Sequence, residues 1–295
     1  MSMMTPGEQI RTTHKSIKAE MIKTLRSFFK RKPEPVLIIH FGYHKCMTYF
    51  FEQVFKCIST KMEWDFKNFQ AFEGDQLFQH ANDTSKNQML QINTIFSDIS
   101  ALPKHFTGTH IIRDPRDLLV SGYNYHKWST DSWIVEPIPD KMRKYLKIDA
   151  FKIEKDTTGY TYQELINNVD KEMGLMIELN WRKFSFSHML KWNYHHPNIK
   201  EIRYEEIFGN ELQMFNKIFK HYDFIDKQIE TGLECVQKYT FDAKKKRGKV
   251  GAEKHGSKGV SGQWEEHFFP ELKSIFKERY QDLLVKLGYE KDDNW

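Results

Sequence analysis

The longest unbroken apolar stretch is Val36-Leu37-Ile38-Ile39-His40-Phe41, which does not alternate with polar residues. Such a run suits a strand buried on both faces of a parallel sheet. Gly42 to Thr48 reads as a turn, and Tyr49 to Phe55 resumes with helical character. A second strand, Gly108 to Ile112, runs into Arg113-Asp114-Pro115-Arg116-Asp117 and then a helix from Leu118. A third, Ile199 to Arg203, precedes Tyr204-Glu205-Glu206-Ile207-Phe208. Asp75 to Gln79 and Met89 to Phe96 add strand-like runs. Strands alternating with helices predict an α/β fold with a mainly parallel sheet. Ligands of such sheets sit at the carboxyl ends of the strands, where the turns after the three main strands fall.

Upstream, residues 8–32 predict a basic helix with Ile10, Ile17, Met21, Leu25 and Phe28 on one stripe, stopped by Pro33 and Pro35. Packing on the domain is the expected use of that stripe, ahead of an anionic membrane surface. The division is therefore an N-terminal helical extension, 1–32, and a single domain, 33–295. Within the domain, 127–198 holds Trp128, Trp133, Pro137, Pro139, Tyr145 and a helical run from Tyr162 to Trp192, and reads as an acceptor-side cap.

The 295 residues are 39% hydrophobic, enough for one large core. No run approaches the about 20 apolar residues of a membrane span, and the start lacks the apolar stretch of a secretory signal. Cys46, Cys57 and Cys235 are an odd number and too few for a disulfide framework, which predicts a reducing, cytoplasmic setting. The net charge of +5 favours an anionic ligand without indicating nucleic acid. The 23 phenylalanines supply core, and also surfaces on which a base can stack.

Two turns carry candidate phosphate chemistry. Gly42-Tyr43-His44-Lys45-Cys46-Met47-Thr48 joins a buried strand to a helix, so helix-start N–H groups, a lysine and a hydroxyl converge. It lacks the GxxxxGK[ST] spacing of a Walker loop. In the second turn Arg113 leaves its strand, Pro115 starts a helix, Asp117 occupies the first turn, and Ser121 follows eight positions after Arg113. Arg113 and Ser121 can then grip one phosphate. A surface loop of local ion pairs is the plainer alternative.

At these residues the chain resembles the PAPS-dependent sulfotransferases, from about residue 36 to the C-terminus (PAPS is 3′-phosphoadenosine 5′-phosphosulfate). The family donor loop, T-Y-P-K-S-G-T-T-W, is matched by Phe41-Gly42-Tyr43-His44-Lys45-Cys46-Met47-Thr48-Tyr49-Phe50. The family 3′-phosphate motif, R-[ND]-P-[KR]-D-x-x-x-S, is complete from Arg113 to Ser121. Thr240-Phe241-Asp242 resembles the S-F-[DE] segment, and Ser257-Lys258-Gly259-Val260-Ser261-Gly262-Gln263-Trp264 resembles R-K-G-x-x-G-x-W.

The resemblance implies a three-layer α/β/α, P-loop-kinase-like fold and transfer of a sulfuryl group from PAPS to a hydroxyl or amine, leaving 3′,5′-ADP. Lys45 and Thr48 would hold the 5′-phosphosulfate within the loop that Cys46, Met47 and Tyr49 complete. Arg113, Ser121, Lys258 and the Gly259 backbone would hold the 3′-phosphate. Tyr204, Thr240, Phe241 and Phe50 would frame the adenine, although the three aromatics equally suit core. No metal is required, a small-molecule acceptor is expected, and a homodimer is compatible.

The chain departs from the family at three places. Cys46 and Met47 replace the usual serine and glycine, and Cys46, at a helix start beside Lys45, reads as an acidified, oxidisable thiol. Ser257 replaces the usual arginine, in a stretch from Lys244 to Lys258 crowded with basic residues. The K-T-H-x-P segment, whose histidine is the base in many soluble members, has no counterpart. His80, after the run Asp75 to Gln79, is the first substitute, Asp98 the second and His126 the third. A kinase of the same fold, or a nucleotide- or sulfate-binding module without transfer activity, is the rival class. The missing Walker lysine disfavours the first, and Lys45 disfavours the second.

Overall fold

Unbroken apolar sequence becomes the centre of the sheet. β1 (Leu37–Gly42) is buried at every residue, and side chains that alternate across it meet two different helical layers. His40 stacks on Phe51 with ring centroids 3.7 Å apart, while Phe41 turns to the opposite face and Trp192, 5.2 Å away. The computed structural model describes residues 35–70, 74–83, 85–93, 99–151, 153, 156–246 and 261–295. Met1–Val36 and Leu37–Trp295 form separate units; the N-terminal extension 1–32 lies outside the described residues.

Among the described residues five parallel strands line up in the order β2-β3-β1-β4-β5. β2 is Asp65–Gln70, β3 Gln88–Asn93, β4 Thr107–Ile112 and β5 Ile199–Arg203. The predicted α/β class and mainly parallel sheet are what the chain adopts. β1 leads through α1 (Thr48–Met62) to the β2 edge, whereas β4 leads away to β5. The direction of winding thus changes at β1, which places the ligand crevice at its carboxyl end.

Two sequence expectations fail for physical reasons. Asp75 to Gln79 lies within a helix, α2 (Gly74–Ala81), whose Leu77 and Ala81 are buried at helical spacing. The edge strand is instead β2, Asp-Phe-Lys-Asn-Phe-Gln, which is partly solvated and therefore short of apolar residues. The helical run from Tyr162 to Trp192 is two helices. α6 (Tyr162–Asn167) begins with a Thr161–Glu164 capping box, and α7 (Lys171–Lys191) restarts where Asp170 accepts from the Met173 N–H at 2.8 Å.

The remaining helices are α3 (Pro115–His126), α4 (Ser132–Val135), α5 (Asp140–Leu146), α8 (Tyr204–Ile207), α9 (Glu211–His221), α10 (Asp226–Tyr239), α11 (Phe241–Lys246) and α12 (Pro270–Leu287). Cys57 on α1 and Cys235 on α10 form a disulfide, which overturns the expectation of unpaired thiols. No helix among the described residues is long and apolar enough to cross a membrane.

Candidate active site

The turn after β1 is tightly closed. The Cys46 N–H donates to the Tyr43 carbonyl at 2.9 Å, and the Thr48 hydroxyl donates to the same oxygen at 3.1 Å. Lys45 (φ 75°) and Met47 (φ 57°) both take left-handed backbone angles. Met47 does so where the family has glycine, the residue that adopts this angle without a Cβ penalty. Gln91, on β3, donates to the Thr48 carbonyl at 2.9 Å and so fixes the start of α1 from below. The first turn of α1 holds no acidic residue, and its amides and dipole favour an anion. Cys46 is fully buried, and burial pushes its thiol up to about 12, so the expectation of an acidified, oxidisable cysteine is wrong. Tyr49 is exposed.

Lys45 is partly buried, with Nζ 3.6 Å from the Tyr125 ring centroid. Burial, then the charges of Arg182 and Arg113, pull its pKa down to about 7, against the opposing pull of Asp131 and Glu178. The aromatic face of Tyr125 thus serves the protein's own lysine.

Two arginines of the second turn divide the work. Arg116 is saturated: it pairs with Asp114 and Glu290 and lies 4.0 Å from the Trp264 ring centroid. Arg113 is also buried but makes no ion pair among the described residues. Its Nη1 donates to the Lys45 carbonyl at 3.3 Å, while Nε and Nη2 have no hydrogen-bond partner among the described residues. Ser121 is buried further along α3. Asp117, expected only to favour the helix dipole, accepts from the Gly262 and Trp264 N–H groups at 2.8 and 3.0 Å. The late G-x-W motif is thereby tied to the helix that carries Ser121. Ser257, Lys258 and Gly259 lie outside the described residues, as does Asp98.

On the same flank the Arg113 guanidinium lies 4.1 Å from the Tyr204 ring centroid. Tyr204 stacks on Phe208 at 6.0 Å, Phe208 meets Phe241 at 4.7 Å, and Phe241 stacks on Phe50 at 6.3 Å. Phe241 is partly exposed, whereas Phe50 is buried against Phe51 and Phe215 as core. Thr240 caps α10, and its hydroxyl accepts from the Ala243 N–H at 3.2 Å. Phe208 was not anticipated, although it closes the Tyr204-Glu205-Glu206-Ile207-Phe208 segment already singled out.

The other flank is a buried polar chain. Glu178 on α7 accepts from His126 Nδ1, the Tyr162 hydroxyl and Arg182 Nε, each at 2.8 Å. His126 Nε2 lies 3.3 Å from His44 Nε2, and Arg182 Nη1 lies 3.5 Å from the His44 carbonyl. Gly122 on α3 makes room for this: a Cβ there would lie 1.8 Å from Arg182 Nη2 and 2.2 Å from Glu178 Oε1. His44, Glu178 and Arg182 were missed from sequence. The signal for His44 was its place beside Lys45; Glu178 and Arg182, four apart on a helix, look like a solvated ion pair. His126 is brought to the site. His80 is not: its Nε2 pairs with Asp65 at 2.9 Å, at the amino end of β2.

A family model described as "Sulfotransferase domain" matches residues 42–288. No curated protein sequence matches. Similar solved structures include mouse sulfotransferase SULT7A1 complexed with PAP, 18% identical with a TM-score of 0.47 over 86% of each chain. Retinol dehydratase in a complex with retinol and PAP is 14% identical with a TM-score of 0.46, over 86% of this chain and 82% of that one. The family match spans most of the chain, from the end of β1 through α12, and the chain belongs to the sulfotransferase domain family, whose donor is PAPS.

Proposed function

We propose that this enzyme transfers the sulfuryl group of PAPS to a hydroxyl or amine of a small organic acceptor at the carboxyl ends of β1 and β4. The observation that carries the donor assignment is the pair of unpartnered, buried donors on Arg113 beside Lys45. Buried guanidinium N–H groups without acceptors are costly and suit an anionic ligand.

In this reading Lys45, Thr48 and the first amides of α1 hold the 5′-phosphosulfate, and Arg113 and Ser121 hold the 3′-phosphate. Tyr204, Phe208 and Phe241 take the adenine between aromatic faces. The acceptor atom attacks sulfur in line with the departing bridging oxygen, whose growing charge Lys45 neutralises. Tyr125 beside Lys45, and Trp133 and Trp181, stacked at 4.6 Å and both near His126, supply aromatic surface that suits a small organic molecule. The homodimer expected above plays no part in these roles.

The test is to incubate the enzyme with PAPS and a mixed set of phenols, alcohols and amines. The proposal expects sulfated product and 3′,5′-ADP in equal amounts; unchanged PAPS across all three classes contradicts it. Location has its own test. A cytoplasmic setting conflicts with the Cys57–Cys235 disulfide, which persists in oxidising surroundings. Alkylation under denaturing conditions in freshly lysed cells decides it, one free thiol favouring an oxidising compartment and three the cytoplasm.

A further inference from the structure

His44 sits directly beside Lys45, and its ring meets α3 and α4. Its ring centroid lies 5.3 Å from both Tyr125 and His126 on α3 and 6.1 Å from Trp133 on α4. The charged and titratable groups around it are Lys45 on its own turn, Arg113 at the end of β4, and Tyr125 and His126 on α3. Asp131 before α4, Tyr162 on α6, and Glu178 and Arg182 on α7 complete the set.

The hydrogen bonds leave one consistent placement of protons. Burial works to raise the Glu178 pKa, but His126, Arg182 and the Tyr162 hydroxyl together hold it below its ordinary value. Glu178 is thus a carboxylate and can only accept. His126 Nδ1 must then carry a proton. Burial lowers the pKa of His126 despite Glu178, so the ring is neutral and its Nε2 is bare. The 3.3 Å contact then requires the proton to sit on His44 Nε2. His44 is itself kept neutral by burial and by Arg182, His126 and Lys45. Its Nδ1 is left as a bare lone pair on the donor turn.

Resting on the sulfotransfer reading above, we propose that His44 Nδ1 is the base that takes the acceptor proton, with His126 and Glu178 as positioning residues that fix its tautomer. The acceptor lone pair forms the new bond to sulfur as the bond from sulfur to the bridging phosphate oxygen breaks. That electron pair leaves with 3′,5′-ADP, and the acceptor proton passes to His44 Nδ1. The resulting imidazolium shares its Nε2 proton with His126, behind which stands the Glu178 carboxylate. The nearby cations hold His44 weakly basic until the anionic donor arrives and offsets them, which links base strength to donor binding.

The inference is tested on the full chain with ¹⁵N-labelled histidine and with PAPS hydrolysis, in which water is the acceptor. Around neutral pH or above, nitrogen spectra should show His126 protonated at Nδ1 and His44 at Nε2, with His44→Gln and His126→Gln providing assignments. Adding 3′,5′-ADP should move the His44 titration to higher pH. His44→Gln should slow hydrolysis by about 10² or more while 3′,5′-ADP affinity changes less than about threefold. Glu178→Gln, which removes the carboxylate behind the histidine pair, should move the rising limb of the hydrolysis profile to lower pH, a readout that loss of packing alone does not give. If Glu178→Gln does not fold, the nitrogen spectra of the wild-type chain decide the matter. A His44 protonated at Nδ1, or His44→Gln turning over normally with 3′,5′-ADP bound, overturns this inference and leaves the donor site standing. A wild-type chain that does not bind 3′,5′-ADP overturns the sulfotransfer reading instead.

Discussion

The two flanks of the turn between β1 and α1 each contain a buried arginine, and they treat it differently. On the β4 flank Arg113 keeps two donors without partners and faces a ladder of aromatic rings. On the α7 flank Arg182 is bonded to Glu178, which is in turn bonded to His126 and Tyr162, and one donor, Nη2, is without a partner among the described residues. Unfilled buried donors point to a ligand that arrives with its own negative charge. A connected buried network holds its members rigidly and costs most when it is partly broken. In the proposed reading the nucleotide side is left to be completed by the donor, whereas the acceptor side is bonded through all but Arg182 Nη2 before anything binds.

Lys45 stands between the flanks, and its removal should have the largest effect. Lys45→Ala should lower kcat by about 10²–10³ and donor affinity by much less, since its interaction grows in the transition state. Equal losses in both would make Lys45 a binding residue only. The free-enzyme pKa of about 7 adds a second reading. An anion raises that pKa, so above about 7 the lysine must take up a proton on binding. Affinity for 3′,5′-ADP should accordingly fall as pH rises through that value, and Lys45→Ala should lose the dependence.

Gly122→Ala breaks only the acceptor flank. A methyl group 1.8 Å from Arg182 Nη2 forces the Glu178 pair apart, at a cost of about 1–3 kcal/mol in thermal or denaturant unfolding. Turnover should fall while 3′,5′-ADP binding survives; loss of binding would show that the flanks are not independent. Met47→Gly, the smallest effect, relieves a left-handed non-glycine residue and should leave stability unchanged or raise it by about 1 kcal/mol. A clear loss would mean that the buried Met47 side chain outweighs the strain.

The same division governs what could be read from sequence. Strands buried on both faces announce themselves, so β1, β3 and β4 were legible, and β5 with them although it is a partly solvated edge strand; the other edge strand, β2, was not. Arg113, Tyr204 and Phe241 could be named because each falls in a short run that resembles a family motif. The acceptor flank is assembled from four separate elements by packing. Glu178 and Arg182 look like a surface pair until α3 covers them, and only Gly122 permits that approach. His80 failed as a base because its segment is helical and ends at the wrong side of the sheet.

The central claim is that Arg113 awaits a 3′-phosphate, and calorimetric titration of 3′,5′-ADP against 5′-AMP tests it most directly. The wild-type chain should bind 3′,5′-ADP at least about tenfold more tightly, about 1.4 kcal/mol, and Arg113→Met should remove most of that difference while 5′-AMP affinity stays nearly constant. Equal affinities for the two nucleotides, or a preference that survives Arg113→Met, would contradict the account.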